Sequence, residues 1–463
     1  MLKYRVIVDN DGGDVFSAKS ASYEDFIAER LINLPGTGVT TLFYTTVSSG
    51  FSLFSHRTKL GTLRVAHESF LANNITGDLA AMGTDALEYA SRFCHEHGLE
   101  IFWGMRMNDT HDGTGQSYSN SSFVQNVFKH EHPECLLGSE GHYPRYGAWT
   151  AVNYERPLVG ELAFGFVQEV LDNYDIDGVQ LDFFRHPVFF EHPANGEHAT
   201  EYEIYLMTEL VGKIADAVHA KGKLLSIRVP DSVDYARFLG LDVEDWMRLG
   251  YIDLLCTTSY VQLNDWDYSV RWGHRSNIPV YPSLDEVRQP SAASQSIRNS
   301  PEAMRARITN CLKRGSDGVL MFNYIFDSKN KVQHEMLADA MQPDKLKTKK
   351  RSYFASFRGV SSIAGRAPAH NWFQRICTLT PNSPMAVNGE RTLNVLIGAA
   401  EGRATAVITV DDRASGSVTV CGKAHHLAPG ENRFEIEGLI DGDNRFVFNG
   451  DMAVYDIRVD IEP

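Results

Sequence analysis

"YDIDGVQLDFFRHP", Tyr174–Pro187, is the stretch from which the fold is read. Ile176, Val179 and Leu181 form a short apolar run that stops at Asp182, followed by two phenylalanines, Arg185, His186 and the helix-breaking Pro187. A short apolar run bounded by turn residues reads as a buried strand, and this one aims a carboxylate out of its end.

Seven further stretches share its texture: "YRVIVD" (4–9), "TTLFYTT" (40–46), "EIFWGMRM" (100–107), "LLSIRVP" (224–230), "LLCTTSY" (254–260), "IPVYPSL" (278–284) and "GVLMFNY" (318–324). Several are continuously apolar, as expected of parallel strands covered on both faces. Helical patterns separate them. Met207, Leu210, Val211, Ile214, Ala217 and Val218 make one stripe at helical spacing,. "SPEAMRARITNCLKRG" starts with Ser300 as N-cap and Pro301 at the first helical position, and closes at Gly315,. Eight strand–helix units over residues 1–343 predict an α/β fold, a (β/α)8 TIM barrel. A doubly wound open sheet is the alternative, disfavoured because no GxGxxG or P-loop follows an early strand. A long insertion at about 108–158, rich in His, Asn, Gly and Tyr, reads as a substrate wall over the barrel mouth or as a solvated excursion,.

The texture changes at "MQPDKLKTKKRS" (341–352), where a proline and a burst of lysines end the helical pattern. Beyond it come short alternating runs such as "TAVITVDD" and "MAVYDIRVDI", which predict a C-terminal all-β sandwich over 352–463,. With 463 residues the chain is long enough for both units,. A formal charge of -15 argues against a nucleic-acid partner,. No apolar run is long enough for a membrane span. The start "MLKYRVIVDNDGG" enters a strand directly, without a secretory signal, which points to the cytoplasm or to a leader removed from a secreted or periplasmic protein,. The six cysteines (Cys94, Cys135, Cys256, Cys311, Cys377 and Cys421) lack CxxC spacing and read as buried thiols, not as a disulfide or zinc framework,. Composition leaves the oligomeric state open.

In a (β/α)8 barrel the reacting groups sit just past the C-terminal ends of the strands. Those positions supply Asp9 and Asp11 from strand 1, Trp103 and Arg106 from strand 3, and Asp182, Arg185 and His186 from strand 4. Arg228 and Asp231 follow on strand 5, Tyr260 on strand 6, Asp285 and Glu286 on strand 7, and Asn323 and Tyr324 on strand 8. Carboxylates, arginines and aromatics in one ring suit sugar chemistry, because glycoside cleavage needs two carboxyl groups flanking the bond. Asp182 is the expected nucleophile or base, with Arg185 and His186 orienting it. Asp231, Asp285 and Glu286 are the candidates for the second carboxylate. Asp9, Asp11, Trp103, Arg106, Arg185, His186, Arg228, Tyr260, Asn323 and Tyr324 are candidate substrate contacts. No cofactor or metal is expected. "DNDGGD" (9–14) looks like the start of a calcium loop, but its twelfth position is Ser20, so a turn is the better reading,.

The segment "NYERPLVGELAFGFVQEVLDNYDIDGVQLDFFRHP" resembles the strand-4 region of the barrels known as family 10-like glycosylhydrolases. The residues that carry the likeness are Asn153, Pro157, Tyr174, Asp175, Asp177, Gly178, Asp182, Arg185 and Pro187. "HPEC" (132–135) is similar to a His-Pro-Glu-Trp upstream, with Cys135 in the place of Trp. The resemblance spans roughly 130–190 and implies a glycosidase-like barrel acting on a polysaccharide or oligosaccharide. Many relatives carry a second acid directly after the strand-4 Asp, where this chain has Phe183. The partner carboxylate is therefore expected from strand 5 or 7. The arginines near the mouth suggest an anionic glycan. The alternatives are a barrel that binds a glycan without cleaving it, and a metal-dependent hydrolase built on Asp9, Asp11 and Asp182.

Overall fold

The computed structural model describes residues 4–47, 50–67, 71–113, 119–258, 262–284, 296–323, 331–340, 342–359, 375–379 and 384–463. Eight parallel strands form the first sheet: β1 (Arg5–Asn10), β2 (Thr41–Thr45), β3 (Glu100–Arg106), β4 (Gly178–Asp182), β5 (Leu224–Val229), β6 (Leu254–Thr257), β7 (Val280–Pro282) and β8 (Gly318–Phe322). They pair in the order β8-β1-β2-β3-β4-β5-β6-β7. The circle closes between Ser283 and Leu320, where the Leu284 N–H donates to the Leu320 carbonyl at 3.0 Å. The fold is a (β/α)8 barrel followed by an all-β domain.

Alternation along each strand sorts the side chains into two populations. Ile7, Phe43, Phe102, Leu254, Cys256, Tyr281, Leu320 and Phe322 fill the barrel interior. The intervening residues, among them Val8, Trp103, Leu181 and Ile227, pack outward against the helices. At the N-terminal end of the barrel, buried Arg5 donates to both oxygens of Glu100 (2.7 and 3.0 Å) and to the Tyr281 hydroxyl (3.0 Å), so the interior is plugged.

A device invisible in the linear pattern recurs at the strand starts. The carboxylates of Asp177, Asp253 and Asp317 each accept the N–H of a residue in the preceding strand, Ile101, Leu225 and Val280, at 2.8 to 3.0 Å. Each also meets a histidine, His95, His219 and His274 respectively. Asp177 in the opening stretch is thus a register pin at the far end of the strand from Asp182.

The helices follow their caps. Helix Pro301–Lys313 begins with the Ser300 hydroxyl accepting the Ala303 N–H, and Gly315 beyond its end takes a left-handed φ of 95°. Helix Glu201–Ala220 buries Met207, Leu210, Val211, Ile214 and Val218 and carries a complete capping box at Thr200 and Glu203. The insertion after β3 is held down by a fully buried ion pair, Lys129 Nζ to Asp112 at 2.8 Å. It ends in a hairpin closed at Leu136 and Val152.

Beyond the barrel run β9 (Arg351–Gly359), β10 (Arg375–Thr378), β11 (Met385–Ile397), β12 (Arg403–Val410), β13 (Ser415–Val420), β14 (Lys423–Leu427), β15 (Gly430–Ile436) and β16 (Gly442–Glu462). All pair antiparallel. The 21-residue β16 pairs with β11 and β13 along its first part, then with β12 and β9 along its second, and so ties the sandwich together. Cys94, Cys135, Cys256 and Cys311 are free and buried, but Cys421 is exposed, against the sequence expectation, because it sits in the tight turn between β13 and β14. Among the described residues, no helix is long and apolar enough to cross a membrane.

Candidate functional site

Strand register builds the barrel mouth. Arg106 on β3 lies opposite Asp182 on β4, which lies opposite Arg228 on β5, so three inward positions form a row of alternating charge. The Asp182 carboxylate accepts Arg228 Nε at 3.1 Å on Oδ1 and Arg228 Nη2 at 2.9 Å on Oδ2. Its Oδ1 also accepts the backbone N–H groups of Phe184 (2.9 Å) and Arg185 (3.1 Å). Arg228 is fully buried over the Phe322 ring (4.3 Å) and reaches across the barrel to Asp9 Oδ2 at 3.4 Å. Gln180 Nε2 donates to that same oxygen at 3.3 Å. Asp9 Oδ1 is buried without a hydrogen-bond partner among the described residues.

The expectation that Arg185 and His186 orient Asp182 is corrected by these contacts. The cation that grips Asp182 is Arg228, not its neighbour Arg185. A residue three past a strand end lies in the turn, whereas Arg228 is brought alongside by register. Arg185 contributes its backbone N–H, while its guanidinium donates to His111 Nε2 at 2.9 Å. His186 likewise turns away, its Nδ1 accepting the Thr110 N–H at 3.2 Å.

The rim beside Asp9 is the "DNDGGD" turn. Gly12 has a φ of 70°, and a Cβ there would lie 2.0 Å from the Thr45 carbonyl oxygen, so only glycine fits. Arg30 Nη1 donates to Asn10 Oδ1 (3.1 Å) and to Asp11 Oδ1 (2.6 Å), so the positive charge this turn holds is a guanidinium, where the sequence had suggested calcium as an alternative. Asn323 sits in the left-handed region at a φ of 50°, which asparagine tolerates better than most residues,. There its side chain grips Asp11 twice, Nδ2 to Oδ2 at 2.7 Å and Oδ1 from the Asp11 N–H at 3.2 Å.

The electrostatics separate these acids. Burial pushes Asp9 up to about 6, with Arg228 opposing and the Asp182 charge adding to the rise. Burial also pushes Asp14 up to about 6 beside Asn10 and Tyr44. For Asp11, burial is outweighed by Arg30 and Arg106, which hold it well below the usual carboxylate range. Asp11 is also the most open of the three, its side chain 29% exposed against 1% for Asp9 and 4% for Asp182.

One group of donor atoms among the described residues could hold a metal ion: Asp109, His111 and His186. Asp109 and His111 are already committed. Asp109 accepts Arg106 on one oxygen (2.8 Å) and His111 Nδ1 on the other (2.8 Å), leaving His111 Nε2 to face Arg185. Burial lowers both histidines, His186 further than His111, with the neighbouring arginines adding to the effect. Two guanidiniums at the rim of the group oppose a divalent cation.

The remaining expectations divide. Trp103 is fully buried on the outer face of β3, its Nε1 donating to Thr46 Oγ1 at 2.6 Å, so it packs between strand and helix and presents no face to the mouth. The cause is parity: position 103 is an odd number of residues from inward Arg106. Asp231 is fully buried, with both oxygens accepting the Leu263 N–H (3.0 Å) and Oδ2 the Asn264 N–H (2.9 Å), which shapes the turn after β6. Tyr260, Asp285, Glu286 and Tyr324 lie outside the described residues. Asp9, Asp11, Arg106, Asp182, Arg228 and Asn323 come together. Arg30, His111 and Gln180 join them without having been singled out from sequence, together with Asp109, which the end of strand 3 delivers to the mouth. Gln180 was legible by parity with Asp182, and Asp109 with His111 by their spacing just past β3. Arg30, carried by a helix, had no local signal.

No family model matches the chain, and no curated protein matches it. Similar solved structures include α-L-fucosidase isoenzyme 2 from Paenibacillus thiaminolyticus (TM-score 0.47, 13% identity, covering 75% of this chain and 50% of that one). They also include a noncanonic maltogenic α-amylase from Thermotoga neapolitana (TM-score 0.43, 11% identity, covering 98% and 99%) and a class V chitinase from Pseudomonas fluorescens Pf-5 (TM-score 0.39, 11% identity, covering 73% and 100%). The chain spans half the length of the fucosidase.

Proposed function

We propose that the protein is a glycoside hydrolase working at the barrel mouth, with Asp182 as nucleophile or base and a strand-1 carboxylate as its partner. The observation that carries this reading is the Arg228 bridge. One rigid guanidinium fork contacts both Asp9 and Asp182, which puts oxygens of the two acids within about 9 Å of each other,. That falls inside the separations of up to about 9.5 Å used to cleave glycosides. Asp182 receives four N–H donors, and burial pushes Asp9 up to about 6, which suits Asp9 to the acid role,. Asp11 and Asn323 face the opening and would hold sugar hydroxyls. Among the described residues the partner acid is drawn from β1 in place of strand 5, since Asp231 is spent on backbone amides, while the strand-7 candidates Asp285 and Glu286 lie outside the described residues. The strand-4 resemblance over 130–190 supports the same chemistry.

The substrate is a polysaccharide or oligosaccharide. Arg30, Arg106 and Arg228 each pair with a carboxylate, so an anionic group on it would compete with those carboxylates for them. A second reading, a barrel that binds a glycan without cleaving it, draws on the deep burial of Asp9 and Asp182. Aryl glycosides and neutral, sulfated and uronate-containing polysaccharides assayed with wild type, Asp182→Asn, Asp9→Asn and Asp11→Asn separate the two. Hydrolysis by wild type that falls at least about 100-fold in Asp182→Asn, with glycan binding retained, is expected. The rate should decline above about pH 6 if Asp9 is the acid. Wild-type turnover in Asp182→Asn would refute the assignment, and binding without hydrolysis would favour the second reading.

A further inference from the structure

We propose that the hairpin spanning 136–152 is an outer subsite that stacks on sugar units beyond the one at the barrel floor, making the site selective for oligosaccharides over single glycosides. This rests on the glycan reading of the mouth.

Three observations converge. The hairpin stands on the rim. Asn108 Nδ2, just past β3, donates to the Val152 carbonyl at 3.0 Å and also bonds the Val188 carbonyl, two residues past His186. The Tyr146 N–H donates to the Ala194 carbonyl at 2.9 Å, so the hairpin is tied to the loops after both strand 3 and strand 4.

It is also stiff. Ser139 and His142 exchange backbone hydrogen bonds of 2.9 Å across a two-residue turn in which Gly141 takes a φ of 83°. Pro144 then packs against Gly138, where a Cβ would lie 3.0 Å from its ring.

Finally, it is aromatic. "HYPRYGAW" (142–149) sets Tyr143, Tyr146 and Trp149 on one short segment. Trp149 is braced by Phe123 at 4.7 Å and Tyr146 by Arg145 at 5.3 Å, while Tyr143 stands 65% exposed. A lone exposed tyrosine needs no explanation. An exposed tyrosine on a pre-ordered aromatic hairpin at the edge of a sugar-type site offers the flat apolar face and polar tip that pyranose rings stack on. Because the backbone is already ordered, little conformational entropy would be lost on binding.

The experiment compares full-length wild type with Tyr143→Ala and, as a position control, Tyr202→Ala. Tyr202 is as exposed (62%) but lies on the outer helix Glu201–Ala220. Neutral oligosaccharides of two to six units are titrated by calorimetry, and their hydrolysis is compared with that of aryl monoglycosides. In wild type, affinity and kcat/KM should rise with chain length. Tyr143→Ala should lose about fivefold to tenfold on the longer chains alone, and Tyr202→Ala should match wild type. Should Tyr143→Ala keep the full chain-length dependence, or should monoglycosides suffer equally, the subsite is refuted while the catalytic reading stands. If no glycoside is hydrolysed yet oligosaccharide binding still depends on Tyr143, the catalytic reading fails and the subsite survives. Thermal melts of both variants guard against misfolding, and Tyr143→Phe, which keeps the ring, should restore binding.

Discussion

Replacing Asp9 by asparagine should make the protein more stable at neutral pH. Asp9 is 1% exposed and ionises near 6 in the folded chain, against an ordinary value of 3.8. Between those two values the native state binds more protons than the unfolded state, so stability falls as pH rises through the window. A shift of that size corresponds to about 3 kcal/mol, present in full below 3.8 and lost once pH exceeds the folded value. Asparagine copies the protonated form and removes the penalty. Urea unfolding of wild type and Asp9→Asn at pH 4, 5, 6, 7 and 8 reads the effect directly. The two should coincide near pH 4 and separate by up to about 3 kcal/mol at pH 7, the variant being the more stable. Asp14 also carries a raised pKa, but it is common to both proteins and cancels in the difference. A gap that does not change with pH, or a variant less stable at pH 7, would refute the claim that burial holds Asp9 protonated. Greater stability with lost turnover would be the signature of a functional group kept at a cost to the fold.

The other expectations concern groups that the structure assigns to architecture. Asp231→Ala should cost about 1–3 kcal/mol in chemical denaturation by leaving the Leu263 and Asn264 amides without their acceptor,. If it instead abolished turnover at unchanged stability, Asp231 would return as a catalytic acid. Trp103→Phe should lower stability by about 1–3 kcal/mol through the lost bond to Thr46 and the smaller ring, with KM unaltered,. A raised KM would place the indole at the substrate after all.

The sequence was most legible where structure is local. A continuous apolar run ending at a polar cluster is enough to call a buried strand, and eight of them with intervening amphipathic helices call a barrel. Ser300, Pro301 and Gly315 mark a helix because caps act on their own neighbours. Parity was the signal left unused. Counting in twos from Asp182 and Arg106 turns Gln180 inward and Trp103 outward.

What the sequence determined by itself was therefore the barrel and a carboxylate delivered at the end of strand 4, since each depends on residues close in the chain. Partnership was decided only in three dimensions. Arg228 reaches Asp182 across 46 residues and Asp9 across 219, and Arg30 enters the "DNDGGD" turn from a helix. Those distances along the chain collapse only when sheet register and barrel closure bring the strand ends into one ring. In that ring, burial and neighbouring charge, and not residue type, decide which aspartate keeps its proton.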